Sequence, residues 1–498
     1  MDAGREDTRQ LLPHTPHTGR PAPIGSSLMN RLDRFFDITA RGSTLTAEIR
    51  GGVVTFIAMA YIIVLNPVIL SSAPDVDGNN LEFAQVSAVT SLAAGVMTIL
   101  FGLVARLPFA FAAGLGINSF LATTVVGSVT WPEAMGLVVI NGLIIVLLAA
   151  TGLRRLVFDA VPMQLKLAIT AGIGLFILFI GVVDAGFIGS TGLPSPPVGL
   201  GAGGEGSINT VPTVVFVFTL LVTGILVARR VRGGILIGLV AGTVVAVVIE
   251  AIWHLGSAVE KPGGWGLSVP SLSGSPFAMP DLSLVGEVSL GSFSRIGALA
   301  AIMLVFTLVF ANFFDAMGTM TGLSREAGLS DPQGTFPRLK SALIVEGTGA
   351  VVGGASSASS NTVFIESGAG IEEGARTGLA NLITGVLFLA AMFVAPLASV
   401  VPTEVAAAAL VVVGAMMVSH LRHIDLSEFS VALPVVLTVA TMAFSYSIAN
   451  GIGVGFVAWV VLRSAAGKFR EISPLLWVVA LGFVLYFARG WIESFIGM

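Results

Sequence analysis

The sequence has no cysteine, only five histidines and three tyrosines, and little charge: 11% of its 498 residues are Asp, Glu, Lys or Arg. Each shortage excludes something. Without cysteine there is no disulfide, no thiolate nucleophile and no cysteine-ligated metal. His14, His17, His254, His420 and His423 form no helix-spaced pair inside an apolar run, so no metal site is expected. Soluble domains carry roughly 25% charged residues, and a chain this poor in charge cannot cover a water-facing surface of its own size. A soluble multidomain enzyme is therefore excluded. Disorder is excluded too, because 55% of the residues are hydrophobic and the mean hydropathy is +0.93. What remains is an all-α polytopic membrane protein.

A helix needs about 20 apolar residues to cross a bilayer. Such runs occur at 51–71, 84–104, 134–152, 167–187, 211–228, 234–255, 296–317, 340–354, 376–396, 403–419, 430–447 and 449–466. Two further stretches, 108–126 and 356–371, are apolar but irregular, and with them the count is about 14 segments. A last run, 475–488, ends in Arg489, Gly490, Trp491 and Glu493 and reads equally as a fifteenth span or an interfacial helix. The polar tail with Asp2, Glu6, Asp7 and Pro13 is too long and too acidic for a cleaved signal peptide. Residues 1–30 are expected to be a disordered cytoplasmic tail.

The positive-inside rule tests the count. With a cytoplasmic N-terminus, strict alternation puts 22 of the 25 basic residues inside, among them Arg106, Arg154, Arg155, Lys166, Arg229, Arg230, Arg232 and Arg376. Only Lys261 and Arg295 fall outside, with Arg489 unassigned. Both irregular stretches must cross for this partition to hold. Each is third in its half, which predicts two inverted seven-segment repeats, 31–256 and 296–470, separated by an extracellular loop at 257–295. Residues 471–498 form a C-terminal helix of open topology. Interrupted segments at matching positions in two inverted halves point to a midplane binding site in a transporter.

Three polar residues stand where the surrounding runs should bury them: Asn118 in Gly114-Leu-Gly-Ile-Asn-Ser, Asp315 in Phe313-Phe-Asp-Ala-Met-Gly, and Glu366 in Phe364-Ile-Glu-Ser-Gly. An ionised carboxylate inside a bilayer costs at least ~2.5 kcal/mol and is tolerated mainly facing a cavity or a partner. The bland alternatives are an Asp315–Arg325 pair, a Glu366 that caps a short helix or pairs with Arg376, and an Asn118 that bonds across packed helices. The run Gly353-Gly-Ala-Ser-Ser-Ala-Ser-Ser-Asn-Thr362 cannot make a lipid-facing helix, and irregular backbone at membrane depth needs protein or water around it. A helix starting near Thr362 would aim its free N–H groups at that cavity. The matching stretch is Pro108 to Asn118. Two such breaks with nearby carboxylates suit a flat, neutral, hydrogen-bonding solute.

Other features weigh less. Glu346 reads as a structural ion-pair or capping group, and Asn66-Pro67 and Pro108 read as helix ends or kinks. Tyr61 could stack on a planar ligand. Gly201-Ala-Gly-Gly-Glu-Gly lacks the Lys-Ser/Thr of a phosphate loop. His420 and His423, beside Arg422 and Asp425, read as an interfacial loop.

Several stretches resemble the nucleobase–cation symporters of the nucleobase–ascorbate transporter superfamily, in the AzgA-like branch of adenine/guanine/hypoxanthine permeases. They are Glu48-Ile-Arg-Gly-Gly-Val-Val-Thr-Phe-Ile-Ala-Met-Ala-Tyr-Ile-Ile-Val-Leu-Asn-Pro67, Ala113-Gly-Leu-Gly-Ile-Asn118, Phe314-Asp-Ala-Met-Gly-Thr319, and Ile365-Glu-Ser-Gly-Ala-Gly-Ile371 with Glu373-Gly-Ala-Arg-Thr-Gly378. The resemblance covers about residues 31–490 in order. It implies a core domain of segments one to four and eight to eleven, a gate domain of the remainder, and short extended pieces in segments 3 and 10. It also implies an elevator-like step of the core against the gate. By the same resemblance, substrate contacts fall on Asp315, Glu366 and Asn118. Thr362, Ile365 and Tyr61 join them on the local reading. Asn118-Ser119-Phe120 and Asp315-Ala316 depart from the family's commoner Asn-Ala-Tyr/Phe and Asp-Thr, which bears on fine preference. Glu366-Ser367-Gly368 lacks the Asn-x-Gly of the xanthine/urate/ascorbate branch and favours adenine, guanine or hypoxanthine.

The expected function is therefore a proton-coupled import of purine nucleobases across the plasma membrane, with Asp315 and Glu366 as proton-coupling carboxylates. No cofactor is expected beyond the proton gradient, and the expected partners are a purine and membrane lipid, with no nucleic acid. Related permeases leave a homodimer open. The competing readings are an uncoupled channel or anion exchanger of the same architecture, and an intramembrane enzyme, for which no His-based set exists.

Overall fold

The computed structural model describes residues 24–152, 160–272, 275–330 and 336–496. Most of the expected disordered tail, together with Arg154 and Arg155, lies outside these residues. The first half holds α1 (Ile24–Phe36), α2 (Leu45–Met59), α3 (Ile62–Ser71), α4 (Phe83–Val104), β1 (Phe111–Ala113), α5 (Leu115–Phe120), α6 (Trp131–Thr151) and α7 (Met163–Asp184). A short hairpin of β2 (Ile188–Ser190) and β3 (Val198–Leu200) leads to α8 (Val211–Ala228) and α9 (Gly234–Trp253). The second half holds α10 (Ser292–Arg295), α11 (Ala298–Glu326), α12 (Leu339–Ala355), β4 (Asn361–Val363), α13 (Ser367–Glu372), α14 (Gly378–Ala391) and α15 (Ala395–Ala398). It closes with α16 (Thr403–Val418), α17 (Phe429–Phe444), α18 (Ile448–Ala465) and α19 (Pro474–Ile496).

Counting α2 and α3 as one, ten helices among the described residues are long and apolar enough to cross a membrane. Many helix starts follow from local chemistry. Thr44, Thr210 and Ser447 accept backbone N–H bonds as N-caps, and Thr130 with Glu133 closes a reciprocal capping box before α6.

Several boundaries differ from the sequence reading, each for a physical reason. The first span begins at Leu45 and is interrupted at Ala60–Tyr61, whereas Pro67, read as a helix end or kink, lies inside α3. The carbonyl of Ile63, which a proline at position 67 cannot engage, accepts instead from the Ser87 hydroxyl at 3.1 Å. The helix α11 continues to Glu326, nine residues past the apolar run, because a helix can carry polar residues wherever protein or water receives them. The last helix runs on through Arg489 and Gly490 to Ile496. The irregular stretches form neither continuous helix nor coil. Residues 108–126 give β1, α5 and a π-helical turn at Leu121–Val125, and residues 356–371 give β4 and most of α13. The helix expected to start near Thr362 starts instead at Ser367, because 361–363 is committed to strand pairing.

That pairing is antiparallel and joins the two halves: Phe111 faces Val363, Ala112 faces Thr362 and Ala113 faces Asn361. Gly114 N–H to Ser360 O and Phe364 N–H to Ala110 O, both 2.9 Å, extend the ladder at each end. A two-stranded ladder has two open edges whose backbone groups need partners. On the β1 side, Thr98 of α4 accepts from Phe111 N at 2.9 Å and donates to Phe111 O at 3.1 Å. On the β4 side α12 lies close, and Gly349 and Gly353 permit it: a Cβ there would stand 2.7 Å from Asn361 O and Nδ2, respectively.

The charged residues sort to two ends. Around the end of α4, Arg41 donates to Arg106 O at 2.6 Å and Arg376 O at 3.2 Å, Arg338 donates to Val104 O at 3.1 Å, and Glu48 accepts from Arg376 N at 2.8 Å. Glu373 binds Arg50 at 2.5 Å and also Arg232 at this end. At the opposite end of α4 and α6, Arg295 pairs with Glu133 at 2.8 Å and with Asp77 at 3.4 Å. Arg295 thus stands apart from the basic residues gathered around the end of α4.

Candidate functional site

The site is assembled where β1 and β4 meet, in front of α11. Both α5, which carries Asn118, and β4 pack against α11, which carries Asp315. Buried aromatic and aliphatic neighbours, Phe313, Phe314 and Ala316, hold Asp315 in place. The side chains of Asp315 and Glu366 are partly accessible, and Asn118, Thr362 and Tyr61 are buried.

The bland alternatives for the carboxylates are not what forms. No ion pair or hydrogen bond reaches the Asp315 carboxylate among the described residues. Arg325 is ten residues farther along the helix, about 15 Å at helical rise. Glu366 occupies the N-cap position of α13 but makes no capping bond, and its Oε1 accepts from the Tyr61 hydroxyl. Arg376 spends its guanidinium on Ile371 O at 2.6 Å and Ala375 O at 2.8 Å.

The remaining expected residues have distinct surroundings. The Thr362 hydroxyl faces Glu346; among the described residues, both side-chain atoms of Asn118 and the hydroxyl of Ser119 are buried without a hydrogen-bond partner. Buried polar groups left unpaired are costly, so each is a group that a bound solute or water would satisfy. Thr362 is the central residue of β4, and a Cβ at Gly114 would sit 3.0 Å from its methyl. Ile365 stands at the corner between β4 and α13 with its side chain 50% exposed. The Tyr61 ring is 0% exposed, tilted 46° against Phe364 at 6.5 Å, and offers no open face for stacking.

Glu346 is neither a cap nor, among the described residues, part of an ion pair: it lies inside α12, fully buried, behind β4 and facing the Thr362 hydroxyl and the Val363 backbone. The signal was present, since a carboxylate inside an apolar run is itself the warning. Asn361, Asn312 and Asn141 are likewise buried with unpartnered amides. Lys166, in the second turn of α7, stands over the Phe314 ring at 5.7 Å. Among the described residues no group of three His, Asp or Glu could hold a metal ion. An apolar cleft of about 390 Å³ between α6, α11 and α19, lined by Ile140, Ile144, Phe306, Phe310 and Val479, offers no polar group and is separate chemistry.

Spans that run the length of the chain, broken by a paired-strand centre with carboxylates at its edge, make a multi-pass membrane transporter rather than an enzyme. The chain belongs to the Permease family designated Xan_ur_permease, which residues 46–457 match. It is 36% identical over 462 residues to the guanine/hypoxanthine permease PbuG of Bacillus subtilis (strain 168), covering 91% of this chain and 98% of the relative. It is 33% identical over 456 residues to the adenine permease AdeP of Escherichia coli (strain K12), covering 91% and 95%. Among solved structures, the transmembrane domain of a cyanobacterium bicarbonate transporter, BicA, superposes with a TM-score of 0.58 at 17% identity, covering 82% of this chain and 97% of that one. The murine anion transporter Slc26a9 gives 0.58 at 11% identity, covering 92% and 74%. These two likenesses concern the fold alone.

Proposed function

We propose that the protein is a proton-coupled secondary transporter that imports purine nucleobases such as hypoxanthine, guanine or adenine across the plasma membrane, with its N-terminus in the cytoplasm. The observation that carries this reading is the pairing of β1 with β4 beside two partly accessible carboxylates, Asp315 and Glu366, to which no cation is paired among the described residues. The names of the relatives supply the solute class.

In this reading Asp315 takes up the proton and Glu366 accepts an N–H of the purine. Asn118, Thr362 and the corner at Ile365 complete the planar edge, and Tyr61 supports it. Substrate and proton then share one site, and loaded and empty forms differ in charge at membrane depth. That difference is what allows the two solutes to shift the inward–outward equilibrium together. The architecture is read as fourteen segments in two inverted repeats, with a core moving against a gate. In support, Thr98 of α4 stands to β1 as α12 stands to β4, which is the relation a local two-fold would produce.

An anion exchanger of the same architecture has no requirement for a carboxylate and ideally carries a basic residue at the half-helix ends. No Lys or Arg occurs between Arg106 and Arg154 or between Lys340 and Arg376. The deciding experiment is uptake of labelled hypoxanthine into proteoliposomes under an imposed pH gradient, with unlabelled purines and pyrimidines as competitors. Asp315→Asn is expected to abolish gradient-driven accumulation while binding persists. Full pH-dependent accumulation by that variant would overturn the proton assignment.

A further inference from the structure

Tyr61 is placed to act on Glu366 rather than on a ligand face. Its ring is sealed, and its one polar atom, the hydroxyl, donates to Glu366 Oε1. We propose that Tyr61 is a positioning and specificity-determining residue: it holds Glu366 in one orientation with Oε1 already engaged, so that Oε2 is the stronger acceptor offered to the solute. The proposal rests on the reading of Glu366 as the acceptor of a purine N–H.

Three features argue for it. First, Glu366 is not needed where a glutamate at a helix start ordinarily goes. The first N–H groups of α13 are already satisfied by the preceding turn: Ser367 N to Phe364 O at 3.1 Å, Gly368 N to Ile365 O at 2.9 Å and Ala369 N to Glu366 O at 3.0 Å. The carboxylate is thereby released from capping. Second, both sides of the Tyr61–Glu366 bond are anchored. Beyond the break at Ala60–Tyr61, Val64 N at 3.1 Å and Leu65 N at 3.0 Å bond to Tyr61 O. Across from it, Ala110 N donates to Ser367 Oγ at 2.9 Å, tying the start of α13 to the chain entering β1. Third, the Tyr61 ring lies against Phe364, one residue beyond β4, so the same side chain supports the turn that carries Glu366.

The consequence is chemical. A carboxylate with both oxygens open takes a pair of adjacent N–H donors two-pronged; with Oε1 already accepting from a phenol, that oxygen keeps one lone-pair site and accepts a second donor more weakly. The favoured solute therefore offers Glu366 a single N–H and leaves its other polar atoms to the unpaired amide of Asn118. A purine with two adjacent donors on one edge, as in guanine N1–H and N2–H, gains less from its second donor here than it would from an open carboxylate.

The test is Tyr61→Phe, which keeps the ring and removes the hydroxyl, read by hypoxanthine and guanine uptake in proteoliposomes and by thermal unfolding in detergent. The half-saturating hypoxanthine concentration is expected to rise about tenfold, the effect of one lost bond to a charged group. The maximal rate and melting temperature should change little. Guanine should lose less than hypoxanthine, because its two donors can use both freed oxygens. Equal losses for both purines, or none, would overturn the proposal. If Tyr61→Phe does not fold, the same comparison is made in Glu366→Asp, whose shorter carboxylate cannot reach the phenol. Absence of purine uptake by the unaltered protein would instead sink the parent reading, and the proposal with it.

Discussion

At the scale of single residues, the chain shows how a small side chain can maintain a membrane-depth strand. Thr98 bonds both the N–H and the C=O of Phe111, at 2.9 and 3.1 Å, and closes the edge of β1 that has no strand beside it. Thr98→Val keeps the shape and deletes both bonds, leaving two buried backbone groups unpaired. The expected cost is about 1–3 kcal/mol, read as a lower melting temperature in detergent with loss of uptake following the loss of fold. The candidate site was partly legible in the sequence. Asp315 and Glu366 were visible because a carboxylate inside an apolar run is conspicuous on any hydropathy reading. The bond between Tyr61 and Glu366 was not, because it joins positions 305 residues apart and nothing local at either end announces it. Glu346 was visible but misjudged: an ion pair or a cap was the ordinary expectation, and only the three-dimensional placement behind Thr362 removes it.

At the scale of elements, helices were legible to within a few residues where caps and apolar runs coincide, as at α6, α8 and α9. They were less so where the ends of the run and the helix are set by different forces, as at α11. The two strands could not be read directly, since a three-residue extended piece has no periodicity of its own; only the composition around it said that a continuous helix was impossible. One helix start carries a pH consequence. Glu428 precedes α17 and binds Lys468 at 2.8 Å through both oxygens, Ser430 at 2.5 Å and Arg463 at 2.7 Å. These contacts, Lys468 foremost, hold its carboxyl down from the ordinary 4.5 to about 2. A carboxyl lowered on folding stabilises fully above its unfolded value, and the contribution drains away as pH falls through the folded one. The cluster is therefore unchanged through neutral and mildly acidic pH. Glu428→Gln should leave the pH profile of hypoxanthine uptake unaltered there, in contrast to Asp315→Asn. A flattened profile in Glu428→Gln would move the origin of the pH dependence away from the site.

At the scale of the whole molecule, the absence of cysteine becomes an experimental convenience. Any cysteine introduced is the sole thiol, so sidedness can be read one position at a time. Val259, 94% exposed in the loop after α9, and Arg230, exposed between α8 and α9, stand at opposite ends of α9. In intact cells a membrane-impermeant maleimide should label Val259→Cys and leave Arg230→Cys unlabelled until the membrane is opened. The reverse pattern would invert the orientation drawn from the basic residues.

The β1–β4 ladder also sets an order of events during synthesis. Ala112 and Thr362 are direct partners, yet the second emerges from the ribosome only after the whole of the intervening chain has been made. Until then β1 waits with one edge closed by Thr98 and the other open. The early helices can insert as they are made, since each satisfies its own backbone, whereas the centre cannot exist before β4 arrives. A ribosome-bound chain stopped short of β4 is thus a membrane protein without a site. Its unpaired strand is the part of the nascent molecule most in need of cover by water or by another protein.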